Sequence, residues 1–194
     1  MLGSWWARLL NNISGFLGVG GGIIGDYESI ATVTVGSATP YIDFSTIPQT
    51  YKHLQIRMNV QMASTADMNM RIGTGGTLDT GSNYYYHALY GSGSGSATSL
   101  NSGGQVNFGA YLGYFNSGSS SFAGVVTDIL DYTNTNKYKT VRTLEGNDSN
   151  GSGFVFLSSS LWSNTGAINT LRVYSKDSIN IAANSHFALY GIKG

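Results

Sequence analysis

Between Tyr51 and Met62 the chain reads YKHLQIRMNVQM, and apolar and polar positions alternate without a break. Leu54, Ile56, Met58, Val60 and Met62 fall on one side of a period of two, and His53, Gln55, Arg57, Asn59 and Gln61 on the other, which predicts a half-buried β-strand. A strand apolar on one face and polar on the other belongs to a sheet packed on one side and wet on the other, the usual state of antiparallel sheets. Pro48, which cannot continue a ladder, marks the entry. A one-residue slip would turn five apolar side chains outward, so this strand can set the register of its neighbours. The same alternation recurs at Tyr27, Ser29, Ala31, Val33 and Val35, ending at the Gly36-Ser37 turn, and again at Met68, Met70 and Ile72, ending at Gly73. Residues 41–44, 84–90, 106–112, 122–130, 138–145, 154–161, 167–174 and 186–192 complete the set of predicted strands.

The separators carry turn chemistry: Thr74-Gly75-Gly76, GSGSGS over 91–96, NSGSSS over 116–121 and GNDSNGSG over 146–153. Ten or eleven short strands with no second helical pattern predict an all-β domain over residues 26–194, an antiparallel β-sandwich of jelly-roll type, with an up-and-down barrel as the alternative.

Residues 1–25 differ in kind. Ser4 can cap a short amphipathic helix in which Trp5, Trp6, Leu9, Leu10, Ile13, Phe16 and Leu17 recur at helical spacing, with Arg8, Asn11 and Asn12 elsewhere around it. A helix of ~12 residues is marginal alone in water and takes its stability from what it packs on. It either folds back on its own domain or acts as an anchor peptide docking on a partner or a sister copy. The two tryptophans and the glycine-rich hinge over 18–25 favour the anchor, with those seven apolar residues as the docking face. The apolar run is interrupted by Asn11, Asn12 and five glycines between Gly15 and Gly22, short of the ~20 unbroken residues of a membrane helix. No basic n-region or cleavage site marks a secretory leader.

Charged residues make up 10% of the chain and the net charge is zero, which argues against a nucleic-acid partner and suits a protein that works among copies of itself. With no cysteine there is no disulfide or thiolate site. His53, His87 and His186 are far apart in sequence, and no GxSxG elbow or HExxH pair occurs. Glu28 and Glu145 are the only glutamates, and no spacing pairs an acid with a base. Asp148 and Asn150 lie in a glycine-rich loop that lacks the closing glutamate of a calcium loop. GVGGGIIG follows a helix and has no lysine, so it is no phosphate cradle. No catalytic, cofactor or metal residue is assigned. Tyrosine is abundant, with 13 in the chain, and Tyr84, Tyr85, Tyr86 and Tyr90 are the candidates for contact with a glycan or a neighbouring subunit.

The segments FSTIPQTYKHLQIRM (44–58), GSNYYYHAL (81–89), NTLRVYS (169–175) and NSHFALYGIKG (184–194) resemble a family of small virion structural proteins of tailed bacteriophages. The resemblance spans most of 27–194 and is specific in the IPQTYKHL and LYGIK phrases. It implies a β-sandwich on the virion exterior, assembled in the host cytoplasm, with no catalysis. The expected role is a short tail fibre or baseplate-peripheral protein docked through its N-terminal helix. Such fibres usually form homotrimers, although no periodicity of this chain specifies one. Partners are then the chain itself and other virion proteins of tail, baseplate or capsid, with no nucleic acid and no membrane insertion. A capsid decoration protein is the alternative, and an adhesin reading host-surface glycan the lesser one.

Overall fold

The computed structural model describes residues 25–93, 95–104, 109–115, 121–148 and 153–194. The helix and hinge expected over 1–24 lie outside these residues. Thirteen strands and no helix occur among the described residues: β1 (Tyr27–Thr34), β2 (Tyr41–Phe44), β3 (His53–Val60), β4 (Ala66–Thr74), β5 (Thr77–Leu78), β6 (Tyr84–Gly91), β7 (Thr98–Gly103), β8 (Ala110–Phe115), β9 (Ala123–Leu130), β10 (Lys139–Asp148), β11 (Gly153–Trp162), β12 (Thr170–Ser175) and β13 (His186–Ile192). They form two antiparallel sheets. The larger, strongly curled, runs β1-β13-β3-β9-β10-β11-β6-β7; the smaller runs β2-β12-β4-β5, with β8 also paired to β4. The pairings nest: β1 with β13, β2 with β12, β3 with β9 and β4 with β8.

β3 holds the middle of one half of the large sheet, between β13 and β9. Its apolar positions Leu54, Ile56, Met58 and Val60, together with Met62 just beyond, are all buried. They share one core with Met68, Met70 and Ile72 of β4, Leu171 and Val173 of β12, and Tyr84 and Trp162. Each such fully buried aliphatic side chain contributes roughly 1.5–3 kcal/mol.

The pattern is corrected at β1. A bulge between Ser29 and Ala31 inserts a residue, so Tyr27 and Ser29 face solvent while Ala31 and Val33 turn towards the core. Two short strands, β5 and β7, stand where loops were expected. β8 begins at Ala110, and most of the stretch predicted as its first half lies outside the described residues.

The two specific phrases of the sequence resemblance meet in space. A Cβ on Gly191 would come 2.3 Å from the Tyr51 ring, so only glycine fits beneath it. The Tyr51 hydroxyl donates to Glu28 Oε2 at 2.8 Å, and Glu28 also pairs with Lys193. Tyr132 donates to the Pro48 carbonyl, and Gln49 Nε2 to those of Ile47 and Ile168. These residues clamp the start of β3 to the end of β13.

Candidate functional site

The outer face of the large sheet is organised by register. Leu89 of β6 lies opposite Leu157 of β11, Leu157 opposite Leu144 of β10, and Leu144 opposite Val126 of β9. Directly opposed residues on one face are ~5 Å apart, so the four make a continuous aliphatic row across four strands. They are between 38% and 55% exposed. On one side runs a row of Gly91, Val155, Gly146 and Gly124, whose three glycines have open space where a Cβ would point. On the other runs His87, Ser159, Arg142, Asp128 and Gln55. Of the nine large hydrophobic residues exposed among the described residues, six belong to this face: Tyr85, Leu89, Val126, Leu144, Val155 and Leu157. Scattered apolar residues are ordinary on a surface; a contiguous row that no described element covers is a candidate contact surface.

Between the aliphatic and polar rows lies a groove of about 400 Å³, lined by Leu89, Leu100, Leu157, His87 and Arg142. Arg142 pairs with Asp128 at 3.1 Å, Gln55 Nε2 donates to Asp128 at 2.8 Å, and Arg57 donates to Gln55 at 2.8 Å. This exposed chain is worth less than about 1 kcal/mol per ion pair and fixes side-chain directions more than stability. A second hollow of about 550 Å³ at the sheet's end is lined by Phe122, Asn147, Asp148, Phe154 and Val155. Asn150, the other half of the loop considered for calcium, lies outside the described residues.

The inner face beneath the aliphatic row is unusually polar. On β10, Lys139, Thr143, Glu145 and Asn147 point inward, and on β11 Ser158 and Ser160 do. Lys139 is fully buried, and its ammonium donates to the carbonyls of Asn134 at 2.6 Å, Thr165 at 3.0 Å and Lys137 at 3.1 Å. Burial lowers its pKa, and the neighbouring Lys137 charge adds to the effect. Thr127 and Thr143 bond at 3.0 Å, and Ser158 and Ser160 brace the Tyr111 backbone. Glu145 is also fully buried, yet neither carboxylate oxygen has a hydrogen-bond partner among the described residues. Burial pushes its pKa up to about 8. Its stem lies against Gly113, whose φ of +141° and 3.0 Å approach to Glu145 Cγ both require glycine.

The consecutive tyrosines do not form one surface, because neighbours in a strand point to opposite faces. Tyr84 is fully buried; its hydroxyl accepts from the Ile72 N–H at 2.9 Å and is 3.1 Å from the carbonyls of Ile72 and Asp79. Burial raises its pKa above the ordinary phenol range. Tyr85 is exposed on the outer face, against Gly103. Tyr86 and Tyr90 are inward and half-buried, stacked on Tyr111 at 4.7 Å and on Phe156 at 4.9 Å. Only Tyr85 therefore joins the outer apolar face, and Trp5, Trp6, Leu9, Leu10, Ile13, Phe16 and Leu17 lie outside the described residues.

The histidines are likewise dispersed. His53 Nδ1 accepts from the Asp131 N–H at 2.9 Å, His186 bonds Thr34 at 3.0 Å, and His87 lines the groove. Asp79 accepts from Trp162 Nε1 and Asn83 Nδ2, each at 2.8 Å, and from the Gly81 N–H; burial raises its pKa, but these bonds outweigh it and hold the carboxyl below its ordinary value. Asp131 is held at about 2 by Lys137 and then Lys52. These carboxylates are committed to structure. Among the described residues, no group of three His, Cys, Asp or Glu is placed to hold a metal ion. What the described residues bring together on this sheet is an exposed aliphatic row beside a polar one. No family model matches the chain, and no curated protein matches it.

Proposed function

We propose that this chain is a structural subunit of a tailed-phage virion, a jelly-roll β-sandwich that assembles as a homotrimer. It is fixed to the tail as a short fibre or baseplate-peripheral protein through its N-terminal segment. The observation that carries the assembly reading is the exposed row Val126–Leu144–Leu157–Leu89, covered by none of the described elements. The nested pairing of β1–β4 with β13, β12, β9 and β8 supports the jelly-roll reading, an architecture used by viral coats and lectins. The viral assignment rests on the resemblance of the IPQTYKHL and LYGIK phrases, and fold analogy alone would not give it. The same surface serves a capsid decoration protein equally well. Catalysis has no part in the proposal.

Counting copies in purified virions tests the location: a few to a few dozen per particle places the chain on the tail, and hundreds place it on the capsid. Absence from the particle would overturn the reading. A lesser reading, a glycan-binding adhesin, is favoured by the hollow at the sheet's end, where Phe122 and Phe154 adjoin Asn147 and Asp148, the apolar-plus-polar lining that a sugar ring uses. A glycan array on the isolated chain tests it, and silence from a folded sample would reject it.

A further inference from the structure

We propose that the aliphatic row on the outer face of the large sheet is the seat for the N-terminal apolar segment, residues 4–17, of a sister copy. The proposal rests on the homotrimer reading above and revises its docking step: the segment seats on a sister copy in place of the tail, and the tail is met by the assembled trimer.

Dimensions support it. Four adjacent strands ~4.8 Å apart give the row a length of about 14 Å. Fourteen residues at helical spacing extend about 21 Å, enough to cover the row with a turn to spare. The chemistry matches as well. The row presents aliphatic carbon flanked by three open glycine positions on one side and the 400 Å³ groove on the other. The segment carries Trp5, Trp6, Leu9, Leu10, Ile13, Phe16 and Leu17, and its single charge is Arg8. Bulky rings therefore meet hollows, and no carboxylate need be buried.

The tether favours a sister copy over the chain's own face. Residues 18–25 include five glycines. Such a linker has a relaxed reach of about 16 Å. Tyr27 starts β1 at the sheet's edge, and Val126, the near end of the row, lies three strands across at the level of Thr32. With ~4.8 Å between strands and ~3.3 Å per residue along them, that separation is about 21 Å. Reaching its own row would hold an eight-residue linker at most of its ~26–29 Å full extension, whereas an adjoining copy can bring its row to the arm.

The chain has no cysteine, so engineered thiols report on a clean background. Differently tagged full-length chains carrying Leu9→Cys or Leu157→Cys are co-expressed and oxidised under mild conditions. The expected result is a disulfide joining the two tags, forming at least tenfold faster than with Thr32→Cys, an equally outward position at the other end of the same level of the sheet. Equal rates at the two positions would overturn the proposal. So would a link that forms only within a chain bearing both Leu9→Cys and Leu157→Cys, which would seat the segment on its own sheet. Light scattering on the same samples separates this inference from the reading beneath it. An oligomer without the cross-link rejects the seat and leaves assembly standing; a monomer without it rejects both.

Discussion

The two halves of the large sheet solve opposite problems with the same backbone. In the half around β3, apolar side chains point inward and Arg57 and Asn59 point out to water, as in any sheet with one wet face. In the half around β10 and β11 the arrangement is partly inverted: Thr143, Glu145, Asn147, Ser158 and Ser160 face the interior, while Leu144, Val155 and Leu157 face out. The first half is complete as it stands. The second carries polar groups inside and exposed apolar area outside, and the proposed assembly would cover that area.

The largest expected break in that contrast is a pH effect confined to the inverted half. Glu145 keeps its proton in the fold up to about pH 8 and releases it near its ordinary value of 4.5 when unfolded. Between those values the folded state binds the extra proton, so its contribution is whole below pH 4.5 and drains as pH rises to 8. At 1.36 kcal/mol per pH unit the loss is on the order of 4–5 kcal/mol. Urea melts from pH 4.5 to 8 should show the decline, and Glu145→Gln should flatten it; an identical slope in the variant would remove Glu145 as its source. Next in size is Ile56→Ala in the completed half, a fully buried truncation expected to cost roughly 2–5 kcal/mol by the same melts. Lys139→Met should cost less, about 1–3 kcal/mol, because three carbonyls lose their donor while a buried charge is removed with them. The smallest effect belongs to Leu157→Ala, which should shift monomer stability by less than about 0.5 kcal/mol, being outward and half exposed. A loss of several kcal/mol there would mean that Leu157 serves the chain's own core.

β3 was legible in the sequence because burial on one face imposes the period of two: its four apolar positions and Met62 just beyond are all buried, although Gln55 of the polar set is buried as well. β1 misled at its start because a bulge is an insertion that alternation cannot announce. β7, with the sequence TSLNSG, pairs among the described residues only with β6 and buries too little to need an apolar pattern. The candidate surface was hidden for a different reason. Leu89, Val126, Leu144 and Leu157 come from four separate strands and become neighbours only through register. In β10, moreover, the inward residue beside Leu144 is a glutamate, against every expectation from hydropathy. The split of Tyr84 from Tyr85, by contrast, follows from strand geometry alone.

Assembly through the outer face is tested most directly by the solution mass of the full chain beside Leu144→Asp/Leu157→Asp, measured by light scattering with melting followed in parallel. An assembly surface predicts three times the 20.6 kDa chain mass for the unmodified protein, and a single-chain mass with nearly unchanged melting for the variant. A monomeric unmodified chain, or a variant that assembles as well as its parent, would contradict it.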